Sequence, residues 1–182
     1  MIGIIVDGAG DYAALSARYK GRVRLVKSDG PRGHTATEEA IVESARKQVA
    51  ILSALGCSTI ALITDFEGRT CTLEKFTEAI KQKALKILKL EIVVIVADQM
   101  IENWLLADIA YLSKQKKYLK TVKKQRIFES TNGKCEIKKY FVNGFDYSEI
   151  KHSSELFPLL RVSEASKYSA SFSNFVNKLG LD

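Results

Sequence analysis

Four short apolar runs alternate along the chain with segments whose apolar residues recur at helical spacing, and this alternation constrains the fold more than any other feature. The runs occupy residues 2–6, 23–27, 59–64 and 92–97. Each is strand-sized, and the first, third and fourth are almost unbroken in apolar character, as strands buried on both faces must be. Between them, Ala13, Ala14, Leu15 and Ala17 mark a short helix, and Ile41, Ala45, Val49 and Leu52 a longer one. Leu73, Phe76, Ile80, Ala84 and Ile87 share one face of a third helix, and Ile101, Trp104, Leu105, Ile109 and Leu112 line a fourth. Thr35 and Glu38 have the spacing of a capping box ahead of the second helix. Parallel strands need crossover connections, and these helices provide them. The expected architecture is α/β: a parallel four-stranded sheet with helices on both faces.

The alternation stops near Leu112. Residues 1–113 are therefore read as the core, and residues 114–182 as an α+β extension packed on the same domain. Within the extension, residues 126–130 and 135–142 flank Asn132-Gly133, a hairpin signal. Residues 153–160 and 169–179 read as short closing helices. Charge separates the two parts as well. Residues 114–139 hold ten Lys or Arg against two Glu, whereas the rest of the chain holds 18 basic and 19 acidic residues. A basic block of this kind attracts polyphosphate chains, although a solvated face without a partner has the same composition. Lys116, Lys117, Lys123, Lys124 and Lys151 are the candidates for nucleic-acid contact. Three scattered cysteines, Cys57, Cys71 and Cys135, fit neither a zinc site nor a disulfide framework, which suggests a reducing, cytoplasmic setting. Cys57 and Cys71 read as buried or half-buried. No apolar run reaches the roughly 20 residues that span a bilayer, and no basic-then-apolar leader opens the chain, so neither a membrane partner nor a signal peptide is expected.

In a parallel sheet, ligands collect at the carboxyl ends of the strands. Asp7 follows the first run. Asp65 follows the third, with Glu67 two residues on, and Asp98 follows the fourth, with Glu102 one helical turn further. Asp29 follows the second more loosely. Any one of these positions reads most simply as a turn or cap. Together they form an acid cluster whose members would repel one another unless a cation or protons intervene. Hard oxygen ligands suit Mg²⁺ or Mn²⁺, which could bridge to phosphate oxygens and activate a water.

These motifs resemble a known group. Ile5-Val6-Asp7-Gly8-Ala9-Gly10-Asp11 is similar to the first Toprim motif, a strand ending in Glu-Gly-x-x-Asp or Glu-Gly-x-x-Glu. Ile63-Thr64-Asp65-Phe66-Glu67-Gly68 resembles the second, usually Asp-x-Asp-Gly. Residues 101–108, Ile-Glu-Asn-Trp-Leu-Leu-Ala-Asp, resemble the Glu-Ala-Trp-Leu-Leu-Ala-Asp signature of an uncharacterised prokaryotic family of small Toprim-like proteins, related to the Toprim domains of OLD-type nucleases. Tyr147, Lys151 and Tyr168-Ser169-Ala170-Ser171-Phe172 are similar to that family's Tyr-x-x-Lys and Ser-Pro-Ser-Phe elements, with Ala170 where proline is usual. The resemblance implies a Toprim-like fold and Mg²⁺-dependent phosphodiester chemistry on DNA or RNA, with a role in defence against mobile elements among the possibilities. It implies that Asp7 acts near the reacting phosphate, that Asp65 and Glu67 hold the metal, with the ion lying between Asp7, Asp65 and Glu67, and that Glu102 is a further catalytic or supporting group at the edge of the pocket. Asp7 stands where the family has Glu, and Glu67 where it has Asp. Each swap preserves charge and changes reach by one methylene.

Three functions follow as expectations. The first is a metal-dependent nuclease that uses residues 114–139 as a backbone grip. The second is a catalytically silent module that binds nucleic acid or a protein partner. The third is a binder of a phosphorylated small molecule, which the paired Asp65 and Glu67 disfavour. Trp104 reads as a core residue, His34 as a surface-loop residue, His152 as a surface or occasional phosphate contact, and Ser169, Ser171 and Ser173 as caps or surface positions.

Overall fold

The computed structural model describes residues 1–31 and 33–182. The four apolar runs form β1 (Ile2–Val6), β2 (Val23–Lys27), β3 (Thr59–Asp65) and β4 (Val93–Ala97), within a residue or so of the expected limits. They pair in the order β2-β1-β3-β4, and every pairing is parallel. Helices α1 (Ala9–Tyr19), α2 (Glu38–Ala54) and α3 (Leu73–Leu88) supply the crossovers.

Side chains alternate across the sheet with the period of two that a strand imposes. Ile4, Val6, Ala61, Ile63, Ile95 and Ala97 face one core, shared with α1 and the carboxyl-terminal helices. Ile5, Ile60, Leu62, Val94 and Val96 face the other, shared with α2 and α3. The placement of α1 opposite α2 and α3 follows from right-handed crossovers, because the chain moves one way from β1 to β2 and the other way from β2 past β1 to β3. The result is a Rossmann-like α/β fold whose direction reverses between β1 and β3.

After β4 the chain forms α4 (Glu102–Leu106), α5 (Ile109–Gln115), α6 (Gly133–Lys138), α7 (Glu149–Leu156), a 3₁₀ turn at Phe157–Leu159, α8 (Val162–Tyr168) and α9 (Ala170–Leu179). Their apolar residues join the first core. Trp104 is fully buried and stacks on Phe175 at 4.9 Å between ring centroids.

Several local expectations are corrected. The fourth helix is two helices, broken at Asp108, whose carboxylate accepts from the Arg161 backbone N (3.1 Å), Nε (3.0 Å) and Nη2 (2.6 Å). The cap of α2 is Thr37, which accepts from the Ala40 amide, and the Thr35–Glu38 box does not form. The hairpin at Asn132-Gly133 is absent. Asn132 instead caps α6 by accepting from the Cys135 amide at 2.9 Å, and Ile137 on that helix and Phe141 beyond its end are both buried. Extended pairing in this region is limited, among the described residues, to a single antiparallel bridge between Leu119 and Phe141. Cys71 is exposed, Cys57 half-buried.

Candidate active site

The reversal between β1 and β3 places their carboxyl ends side by side at the mouth of a crevice, the position where α/β sheets bind ligands. Asp7 leaves β1 there, and Asp65 is the last residue of β3. Thr64 donates its hydroxyl to Asp7 Oδ2 at 3.3 Å and so fixes that carboxylate across the gap. A cleft of about 430 Å³ opens at this point, and Asp7, Asp11, Asp65, Glu67, Lys134 and Glu149 contribute its charged lining. Thus three of the four acids expected at the site, Asp7, Asp65 and Glu67, come together.

Glu67 is held by unusual backbone. Beyond β3, the Phe66 amide donates to Ala97 O and the Glu67 amide to Gln99 O, both at 3.0 Å, which extends the β3–β4 pairing past the strand ends. Glu67 and Gln99 have φ of +48° and +64°, left-handed values that are rare away from glycine. Strained backbone of this kind concentrates at functional sites.

Glu102 lies beneath the cleft instead of at its edge. It is 2% exposed and opens α4. Tyr147 donates to its Oε1 at 3.1 Å, while Oε2 is buried and has no hydrogen-bond partner among the described residues. Burial raises the proton affinity of Glu102. The Asp65 carboxyl is raised further, by burial first and then by the charges of Asp11, Asp7, Glu102 and Glu67. Asp11, buried in the first turn of α1, is raised by burial, by Asp7 and Glu102, and by its hydrogen bond to Asp7. On the opposite wall, Lys134 pairs with Glu149 at 3.1 Å. Burial opposes its charge, but Glu102, Glu149 and Asp65 together keep it raised. Among the described residues, no three His, Cys, Asp or Glu side chains are arranged to hold a metal ion as they stand.

Two glycines set the width of the cleft. A Cβ on Gly133 would lie 2.5 Å from Asn103 Oδ1 and 2.9 Å from Asn103 N, so glycine is needed for α6 to carry Lys134 against α4. A Cβ on Gly10 would lie 3.2 Å from the Cβ of Glu149, which marks how closely α7 approaches α1.

The other candidates that the sequence suggests fall elsewhere. Asp98 accepts from Ser130 N at 2.9 Å and Ser130 Oγ at 3.4 Å and does not line the cleft, and Asp29 is exposed in its loop. His152 is buried, with Tyr118, Phe141 and Tyr147 around it, and its Nδ1 accepts from the Ser148 amide, so it is no phosphate contact. Ser169 and Ser171 are buried too. Ser169 caps α9 and Ser171 accepts from Trp104 Nε1 at 2.8 Å. Lys117, Lys123, Lys124 and Lys151 are exposed, whereas Lys116 is half-buried and paired with Glu155 at 3.4 Å. Asp11, Lys134 and Glu149 are not among the site residues expected from sequence. Asp11 carries a usable signal, one helical turn after Asp7, but nothing in the sequence ties Lys134 or Glu149 to the first strand.

A larger groove, about 750 Å³, lies at the amino ends of β3 and β4, but the acids on it, Glu78 and Glu91, are exposed and unclustered. No described helix is long and apolar enough to cross a membrane. Compared with known proteins, the chain matches no family model, no curated protein and no solved structure.

Proposed function

We propose that the chain is a Toprim-like phosphodiesterase that cuts nucleic acid with Mg²⁺ or Mn²⁺. The observation that carries this reading is the position of Asp7 and Asp65 on either side of the β1–β3 crevice, with Asp11, Glu67 and Lys134 lining the same cleft. The motifs around residues 7, 65 and 102 point the same way.

In kind, although not in their present arrangement, the donors suit a hard divalent cation. The set consists of carboxylate oxygens, burial raises the proton affinity of Asp11, Asp65 and Glu102, with neighbouring acids adding to it at Asp11 and Asp65, and Glu102 Oε2 has no partner among the described residues. Asp7, Asp65 and Glu67 would hold the ion. When bound, it would neutralise phosphate charge and favour hydroxide over water. The protein's own groups divide the remaining work. Thr64 orients Asp7. Asp11, buried beside Asp7 and raised in proton affinity by burial and by the Asp7 charge, would act as a proton reservoir there. Lys134 presents an ammonium to phosphate oxygens, with Glu149 holding it in place. Lys117, Lys123, Lys124 and Lys151 offer exposed charges for the backbone, and Lys116 does so only by leaving Glu155.

The test is cleavage of labelled DNA and RNA with Mg²⁺, Mn²⁺ or EDTA, alongside calorimetric titration with Mn²⁺. The parent should cut only with metal. Asp65→Ala should lose at least the roughly ten- to hundredfold in rate that damage to the groups supporting a metal site costs, together with its Mn²⁺ heat, while still binding nucleic acid. Binding without cleavage under every condition would instead make the chain a silent binding module.

A further inference from the structure

Glu67 sits in a turn whose backbone is left-handed at two successive residues, Glu67 at φ +48° and Gly68 at +66°. Such a conformation at a residue with a side chain persists only where its surroundings fix it. One flank is fixed through the backbone, by the bond from the Glu67 amide to Gln99 O at 3.0 Å. The other is fixed through Arg69, two residues on. Its Nη1 donates to His34 O at 3.1 Å and Ala36 O at 2.8 Å, and its Nη2 to Gly33 O at 3.1 Å. The guanidinium lies 4.0 Å from the centroid of the Phe76 ring. Phe76, buried on α3, in turn packs against Phe66, the residue before Glu67, at 5.8 Å between centroids. The loop that Arg69 holds lies against the Glu67 carboxylate. Gly33 has φ of +86°, and a Cβ there would stand 3.5 Å from Glu67 Oε2, so little more than a methyl group would fit between the loop backbone and the acid.

We propose that Arg69 is a positioning residue for Glu67: by clamping residues 33–36 it sets where the Glu67 carboxylate stands in the acid cleft. What that carboxylate then holds rests on the phosphodiesterase reading, but its placement is measured without metal. A lysine could not take the same part. Its ammonium is a point charge, whereas the planar guanidinium presents donors in a fixed fork that meets several carbonyls at once while its face rests on a ring.

The experiment follows side-chain carboxyl carbons by NMR in EDTA, with the Glu67 signal identified by its loss in Glu67→Gln and the Asp7 signal by its loss in Asp7→Asn. In Arg69→Ala the Glu67 signal should move, while the Asp7 signal should stay, because Thr64 holds that carboxylate independently. The Ala36 amide, which donates to Gly33 O, should exchange with solvent faster. Arg69→Lys keeps the charge and loses the fork, so a Glu67 signal that moves there too reports position and not lost charge. It carries the same readouts if the alanine variant does not fold. Titrated with Mn²⁺, Arg69→Ala should bind about tenfold more weakly, the scale of losing a group that supports a metal ligand. The proposal is overturned if the Glu67 signal moves in neither variant or in Arg69→Ala alone, or if the Asp7 signal moves as far. A parent that takes up no Mn²⁺ while its Glu67 signal answers to Arg69 removes the phosphodiesterase reading and keeps the positioning role. Mn²⁺ binding and cleavage that persist in Arg69→Ala beside an unmoved Glu67 signal remove the positioning role alone.

Discussion

Asp11 stands one helical turn beyond Asp7, and the two carboxyls compete for the same small volume. Burial and the neighbouring charges raise the proton affinity of Asp11 and Asp65 in the folded chain above the ordinary aspartate value of 3.8. A carboxyl raised on folding holds its proton more tightly in the native state. Its contribution to stability is therefore complete below the unfolded value and is lost as pH rises through the folded one. The metal-free protein should thus melt at progressively lower temperature as pH rises above about 4 through the raised range. Asp11→Asn should remove part of that slope. In EDTA near neutral pH it should melt a few degrees higher than the parent, at about 2–4 °C per kcal/mol for a chain of this size, with the gain vanishing near pH 4. Thermal melts across pH decide this, and a variant less stable than the parent at neutral pH would contradict it. At this scale the sequence is informative where chemistry and strand ends coincide, at Asp7, Asp65 and Glu67. It is silent on Lys134 and Glu149, because their approach to the acids depends on the packing of helices far along the chain.

Close approaches as well as polar ties hold the elements around the cleft. Gly133→Ala forces its new methyl onto the backbone and side chain of Asn103, so α6 must shift or Asn103 must give up its bonds to Phe128 O and Thr131 O. Overpacking of this kind costs about 1–3 kcal/mol. Gly10→Ala meets only the Glu149 Cβ, at 3.2 Å, and should cost less. Urea titrations of both variants check the order. The strands are legible because apolar runs bounded by turn residues have few other solutions, and their boundaries agree closely with expectation. The region after α5 is not. Asn-Gly is a hairpin signal only where strands flank it. Here the Asn132 side chain satisfies a helix amide instead, and Ile137 is the buried apolar anchor of the short helix that follows.

Across the whole molecule, the basic block gives the surface its polarity. If it grips phosphates, replacing Lys117, Lys123 and Lys124 by Ala should weaken DNA and RNA binding alike and reduce the slope of log affinity against log salt by about 0.7–0.9 for each lysine–phosphate pair removed, while thermal stability stays unchanged. Lys116→Ala should have the smaller effect on binding, because its charge is already shared with Glu155. Gel shifts at several salt concentrations compare the two, and an unchanged slope in the triple variant would leave the block a solvated face. One further property belongs to the molecule as a unit. The short segment after β4 is a meeting point: Glu102 receives Tyr147, Asn103 reaches Phe128 and Thr131, Trp104 reaches Ser171 and Asp108 holds Arg161, the last two across separations of 67 and 53 residues. A nascent chain that has emerged only as far as α5 carries Asp7, Asp11, Asp65 and Glu67 but none of these partners. Pairings so distant in sequence form late, after the loop entropy between them has been overcome. Synthesis therefore orders assembly: the sheet can collapse first with Asp7 and Glu67 already held, and the wall of the cleft that carries Lys134, Tyr147 and Glu149 closes over them only after those later residues have left the ribosome.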